Sequence, residues 1–146
     1  MTTSELIFNH AQKDLGLREI DGSGSNPRIK LAIHFAADWL DPDDSKTAWC
    51  GCLRGLWGNE TQTGTPAAYY RAKNWLNWGR RIANIALAKQ GDTVVLYRKG
   101  GFHVGLFHSW DGRSETFKLL GGNQGNSCSV ATFKISDIEG IRRANT

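Results

Sequence analysis

The chain has 146 residues, 40% of them hydrophobic, which is enough for one packed core and short for two, so a single domain spanning 1–146 is expected. A formal charge of +4 favours an anionic partner such as nucleic acid, a membrane surface or a bacterial wall, and selects none of them. No stretch approaches the roughly 18 apolar residues of a transmembrane helix, and MTTSELIFNH lacks a basic region followed by an apolar core, so the chain is expected to be made in the cytoplasm without a signal peptide.

In chain order, Ser4 is a candidate cap for a helix from about 5 to 15, with Ile7, Ala11 and Leu15 at helical spacing and Gly16 as the stop. IDGSGSN reads as a loop, and Asn26-Pro27 as a cap with proline at the first helical position, opening a helix to about Phe35. After the acidic turn DWLDPDDSK, Asp44 or Ser45 is a candidate cap for a third helix through TAWCGCLRGLW, fading at Gly58. Thr65-Pro66 repeats the cap-plus-proline signature ahead of a fourth helix, AAYYRAKNWLNW, closed by Gly79. From Asp92 the pattern turns to period two in TVVLYR, FHVGLFHSW, ETFKLL and SVATFKI, an antiparallel meander. IRRA adds a fifth strand or an edge. Helices followed by strands give an α+β fold with N-terminal helices packed on a C-terminal antiparallel sheet of about four to six strands.

The three cysteines, Cys50, Cys52 and Cys128, are an odd number and too few for a disulfide scaffold, so at least one thiol stays free. A thiol becomes a strong nucleophile when it ionises, and a helix N-terminus or a neighbouring imidazolium promotes that. Cys50 falls in the first turns of the third helix. His103, on a central strand and facing that helix, would act as its base and later protonate a leaving amine. Strand alternation puts His103, Gly105 and Phe107 on one face and Val104, Leu106 and His108 on the other. An orienting amide for His103 is sought in LLGGNQGN, with Asn123 the first choice and Gln124 the second. The backbone N–H of Cys50 is a candidate oxyanion donor, and Gln124 a possible further one.

WCGCLRGLW, FHVGLF and LLGGNQGN, in this order, resemble the Cys, His and polar-residue boxes of CHAP and NlpC-type peptidoglycan hydrolases. LGLREIDGSGSNPRI, AWC, GTPAAYYRAKNWLNWG, GDTVVLYR, HVGLF and LLGGNQGN resemble, more closely, a family of small single-domain phage endolysins within that group. The resemblance implies a papain-like fold, a Cys50-His103-Asn123 triad and hydrolysis of a wall amide, either between muramic acid and L-alanine or within the peptide stem. Bacterial peptidoglycan is then the expected partner rather than nucleic acid or a membrane, with no cofactor and no metal; the absence of heptads or an obvious sticky edge gives a monomer, and the chain length leaves no separate wall-binding domain. Such an enzyme reaches the periplasmic wall through a separate membrane pore. Relatives often carry a small non-thiol residue where this chain has Cys52, which leaves open which cysteine faces His103.

Blander readings stand beside these. Cys128 and Cys52 default to core packing, as do most of the six tryptophans, although Trp49, Trp75 and Trp78 are candidate substrate contacts. His10 and His34 fall away from the boxes. Glu19 and Asp21 do not by spacing alone make a glycosidase pair, and Asp41, Asp43 and Asp44 lack the spacing of a calcium loop. Rival functions are a zinc site from Cys50, Cys52 and His103, a non-enzymatic wall- or nucleic-acid-binding module, and an injected interbacterial amidase toxin with the same triad.

Overall fold

The computed structural model describes residues 1–20 and 25–145. Among them are three α-helices, α1 (Thr3–Ala11), α2 (Pro27–Ala36) and α3 (Cys50–Thr61). Six strands follow: β1 (Arg80–Ile82), β2 (Thr93–Arg98), β3 (Gly101–Ser109), β4 (Thr116–Gly121), β5 (Ser129–Lys134) and β6 (Ile138–Arg143). The strands form one antiparallel sheet in the order β1-β6-β2-β3-β4-β5. The expected meander is β2 to β5, the IRR of IRRA lies in β6 beside β2, and β1 is an edge strand that the sequence pattern did not announce. Three residues carry too little periodicity to announce a strand; β1 exists because β6 offers it a partner.

Local chemistry explains where each helix starts. Thr2, rather than Ser4, caps α1 in a reciprocal capping box with Glu5. Ser4 is instead turned inward, its hydroxyl donating to Asp92 Oδ1 at 3.2 Å. The helix also stops earlier than expected, at Ala11, with a 3₁₀ turn over Gln12–Asp14. Asn26 caps α2 as expected, accepting from the N–H groups of Arg28 and Ile29, with Pro27 in the first turn.

Two helix expectations need correction. Asp44 does not cap α3; it is buried and accepts the N–H of Asn26 at 2.9 Å, tying the acidic turn to α2. The segment after Thr65-Pro66 is not an α-helix but a run of turns ending in a 3₁₀ helix over Ala72–Asn77. Its carbonyls are taken by other donors. The Trp75 indole donates to Tyr69 O at 3.0 Å, the Asn74 amide donates to Ala67 O and Ala68 O, and Ala68 has φ of +49°. With those acceptors occupied, the regular i to i+4 ladder cannot form.

The sheet is buried on both faces. One face packs Val95, Val104, Leu106 and Leu120 against Ile7, Ile33, Leu53 and Trp57 of the helices. The other gathers Val94, Leu96, Phe107, Phe117, Leu119 and Phe133 into a second cluster. Strand alternation places His103 with this second set, since it pairs opposite Leu96.

Candidate active site

α3 starts at Cys50, the candidate nucleophile. Trp49 stands at the N-cap position without any side-chain cap, and Cys50 is the first helical residue. The backbone donors of the first turn therefore have no side chain competing for them. Trp49 anchors this end: its ring is fully buried and its indole N–H donates to Glu19 Oε1 at 2.8 Å. Gly51 and Gly122 permit the close approach. A Cβ on Gly51 would lie 2.6 Å from Tyr70 O, and one on Gly122 would lie 2.7 Å from the Trp49 ring.

His103 meets Cys50 by a route that the expectation of a helix-facing imidazole did not include. It leaves the sheet on the face opposite Val104 and Leu106, away from the helical core. The β3–β4 pairing reaches only from Leu106 to Ser109, so β4 has parted from β3 at the level of His103. The end of α3 fills that gap. The Cys50 sulfur takes a hydrogen bond from the backbone N–H of Val104, another from that of Gly51, and contacts the His103 imidazole.

The other side of the imidazole is held by an amide. His103 Nε2 is 2.9 Å from Gln124 Oε1. The orientation of that amide follows from its other end, because Gln124 Nε2 donates to Leu119 O at 3.2 Å and to Ser129 O at 2.8 Å. Carbonyls only accept, so the oxygen must face the histidine and His103 Nε2 must donate to it. Nδ1 is then the nitrogen left for the Cys50 thiol, and in the neutral ring it is the acceptor. Gly121 makes room for this amide, since a Cβ there would lie 2.6 Å from Gln124 Oε1. The orienting contact is thus made by Gln124, the second choice, while Asn123 occupies a left-handed turn position (φ +60°) and lines the adjoining cavity.

The electrostatics separate the three thiols. Burial pushes Cys50 up, but the His103 hydrogen bond and charge, with the two backbone N–H groups, outweigh it and hold the thiol below its ordinary value. Burial likewise opposes the His103 imidazolium, and the Cys50 sulfur and the Gln124 oxygen overcome it, so His103 is raised. Cys52 is fully buried in the core and pushed up to about 12 by burial, with the neighbouring Cys50 charge adding to it. Cys128 is pushed up to about 12 by burial and by Asp14. A helix turns about 200° over two residues, which is why Cys50 reaches the imidazole and Cys52 faces the core.

Other sequence candidates take structural places. Trp75 and Trp78 are buried, not open to substrate, and hold the Arg54 guanidinium 4.3 and 4.9 Å from their ring centroids; Trp49 is buried as described. The most exposed indole is that of Trp39, 67% exposed and edge-on to Tyr70, whose backbone lies against the first turn of α3. Glu19 is engaged by Trp49, and Asp21 lies outside the described residues. Asp41 and Asp43 accept from backbone and hydroxyl donors of their own turn. His10 pairs with Glu60, while His108 packs on Phe8 and bonds Ser109. Among the described residues no group of three or more His, Cys, Asp or Glu side chains is placed to hold a metal ion, so Cys50, Cys52 and His103 do not form the zinc site of the rival reading.

No family model matches the sequence, and no curated protein sequence is similar to it. Among solved structures, NlpC1 from Trichomonas vaginalis is similar, with a TM-score of 0.50 at 17% identity over 97% of this chain. The mixed helix and antiparallel-sheet fold is thus similar to that of an NlpC-type protein. This chain corresponds to 44% of the length of that protein. Two residues near the site were not singled out from the sequence: the exposed Trp39, and Arg98, which shares the adjoining cavity with His103. Strand alternation could have found Arg98, because it stands two positions after Leu96 in β2, and Leu96 pairs with His103, so the three share one face.

Proposed function

We propose that this protein is a cysteine hydrolase that cleaves an amide bond of bacterial peptidoglycan, in the manner of a small phage endolysin. The reading rests on one line of contacts: Cys50 sulfur, His103 imidazole and Gln124 amide at the uncapped start of α3. The NlpC-type fold and the sequence boxes support it.

In the proposed reaction the Cys50 proton resides on His103 Nδ1, and the thiolate attacks the amide carbonyl, forming the C–S bond. Negative charge moves to the carbonyl oxygen, where the Cys50 backbone N–H and the positive end of α3 stabilise it. His103 then gives its proton to the leaving nitrogen as the C–N bond breaks. Water, deprotonated by His103, attacks the thioester; the C–S bond breaks and the thiolate is restored. The net change is one amide and one water converted to a carboxylic acid and an amine. Gln124 keeps Nε2 protonated throughout, so the exchangeable proton is always the one on Nδ1.

The enzyme is proposed to act as a monomer on the wall, reaching it through a separate membrane pore, and its charge of +4 would hold it on that anionic surface. The scheme uses no cofactor. The test is release of soluble fragments from purified peptidoglycan by the wild type, Cys50→Ala, Cys52→Ala and His103→Ala, with mass spectrometry of the products. Activity in the wild type and Cys52→Ala alone is expected, and the fragment masses then distinguish the muramoyl-alanine amide from a bond within the stem. Equal activity in all four proteins, or in none, overturns the reading.

A further inference from the structure

A cavity of about 490 Å3 opens beside His103 and is lined by Arg98, Lys99, Phe102, Asn123 and Phe133 among others. None of its walls comes from α3, so it extends from the imidazole away from the helix end. The strand register gives it its form. Arg98 pairs opposite Gly101, and Leu96 opposite His103, so Arg98 and His103 emerge on the same face of the β2–β3 hairpin. Gly101 leaves the place facing Arg98 empty; a Cβ there would meet nothing within 4 Å. Phe133 forms a shared floor, its ring centroid 5.4 Å from that of His103 and 5.1 Å from the Arg98 guanidinium carbon.

The Arg98 guanidinium is half-buried, and among the described residues it meets the Phe133 face but no carboxylate. Lys99 adds a second cation at the rim, held at φ of +51° in the hairpin turn. An adjoining cavity along the same two residues adds Lys134 and one carboxylate, Asp137. The floor is aromatic and the wall carries unneutralised positive charge, the combination that receives an anion on an apolar body. A guanidinium is suited to a carboxylate because its planar donors match both oxygens.

We propose that this cavity receives the leaving-amine half of the substrate and that Arg98 there grips a free carboxylate carried by that half. The inference rests on the proposed hydrolase reading and adds a direction and a substrate class to it. The oxyanion belongs at the first turn of α3, and His103 must touch the leaving nitrogen, so the substrate chain runs from α3 past His103 toward Arg98. The preferred substrate is a stem peptide whose residues beyond the scissile bond keep their carboxylates unamidated. Binding would also assist the chemistry, since the Arg98 charge opposes the His103 imidazolium and a carboxylate would relieve that opposition.

The experiment compares wild type, Arg98→Gln and Lys30→Gln on purified peptidoglycan whose carboxylates are either free or converted to amides with carbodiimide and ammonia. Lys30 lies on α2, outside the cavity, and controls for general adsorption of a cation to the wall. The wild type is expected to act on the free form roughly tenfold to a hundredfold faster, the range for a charged hydrogen bond. Arg98→Gln should lose that factor on the free form and match the wild type on the amidated form, while Lys30→Gln keeps the preference. Equal slowing of Arg98→Gln on both walls, or equal loss of preference in Lys30→Gln, overturns the subsite. A binding readout separates this from failure of the hydrolase reading: a soluble stem tripeptide is titrated against the His103 ring signals in NMR. If the wall is untouched but the tripeptide shifts those signals in wild type and not in Arg98→Gln, the carboxylate grip of Arg98 stands while the hydrolase reading, and with it the leaving-half assignment, falls. If the wall is digested and the tripeptide shifts both proteins alike, the subsite falls alone.

Discussion

The two ends of α3 are built to opposite rules. At its C-terminus several of the last carbonyls find donors: Gln62 turns into the left-handed region with its N–H on Asn59 O and Gly58 O, and the Thr61 hydroxyl donates to Trp57 O at 2.6 Å. Glu60 there carries the sign that the helix dipole disfavours, and Arg28 and His10 offset it through bonds of 2.6 and 2.8 Å. At the N-terminus there is no side-chain cap and no acidic residue. In the proposed reaction the anion that the dipole favours is the Cys50 thiolate itself, and after it the oxyanion. One helix is thus secured at the end that the proposed reaction leaves aside and uncapped at the end that it uses.

Removing the nucleophile tests this division most severely. Cys50→Ala is expected to lower fragment release at least about a thousandfold, because the thioester route is lost. Its melting temperature should stay close to that of the wild type, since the thiol adds little packing at an end that stability does not rest on. A large fall in the melt would show that the N-terminus is structural after all.

The middle of the helix gives the next largest effect, on stability. Arg54 is fully buried, with its Nε and Nη2 donating to the Thr93 hydroxyl and two indoles over its plane, and burial pushes its pKa down to about 9. Arg54→Ala should cost about 3 kcal/mol in urea unfolding through the void it leaves. Arg54→Met, which refills the space without a charge, should be near neutral. A heavy loss in both would mean that the guanidinium bonds, and not its volume, hold α3 to β2.

Gln124→Ala sharpens the catalytic end. It is expected to lower turnover about tenfold to a hundredfold by freeing the His103 ring to adopt the wrong tautomer. Asn123→Ala, which touches the adjoining cavity but not the imidazole, should lower turnover by less than Gln124→Ala does. Reversal of the two results, read in the same fragment-release assay, would return the orienting role to Asn123.

The smallest effect belongs to the secured end. Arg28 and His10 hold Glu60 down at about 2, below its ordinary value, so the pair stabilises the fold above pH about 4.5 and that contribution fades as pH falls toward 2. Because both side chains are partly exposed, Glu60→Gln should cost only about 1 kcal/mol at pH 7. Denaturant midpoints for the two proteins should converge at low pH; a gap that persists there would point to a cause other than charge.

The sequence made visible what local rules control. Asn26-Pro27 announced α2, period two announced β2 to β5, and a cysteine ahead of a His-bearing strand announced the Cys50–His103 contact. Long-range demands were hidden. Nothing in AAYYRAKNWLNW says that its carbonyls are spoken for by Trp75, Asn74 and the approach to Gly51, and so it reads as a helix it does not form. Asn123 and Gln124 are neighbours of similar chemistry; what separates them is a turn with φ of +60° and two carbonyls on Leu119 and Ser129, neither of which is written in the order of residues. Tryptophan count likewise cannot tell the buried Trp49, Trp75 and Trp78 from the exposed Trp39.

The central claim is that His103 makes a thiolate of Cys50 and of no other cysteine, and the most direct test is the pH dependence of iodoacetamide labelling, resolved by residue with mass spectrometry. In the folded wild type only Cys50 should react, with an inflection below the ordinary thiol value of about 8.5, and His103→Ala should move that inflection up to or above it. Labelling of Cys52 in place of Cys50, or the same Cys50 inflection with and without His103, would contradict the account.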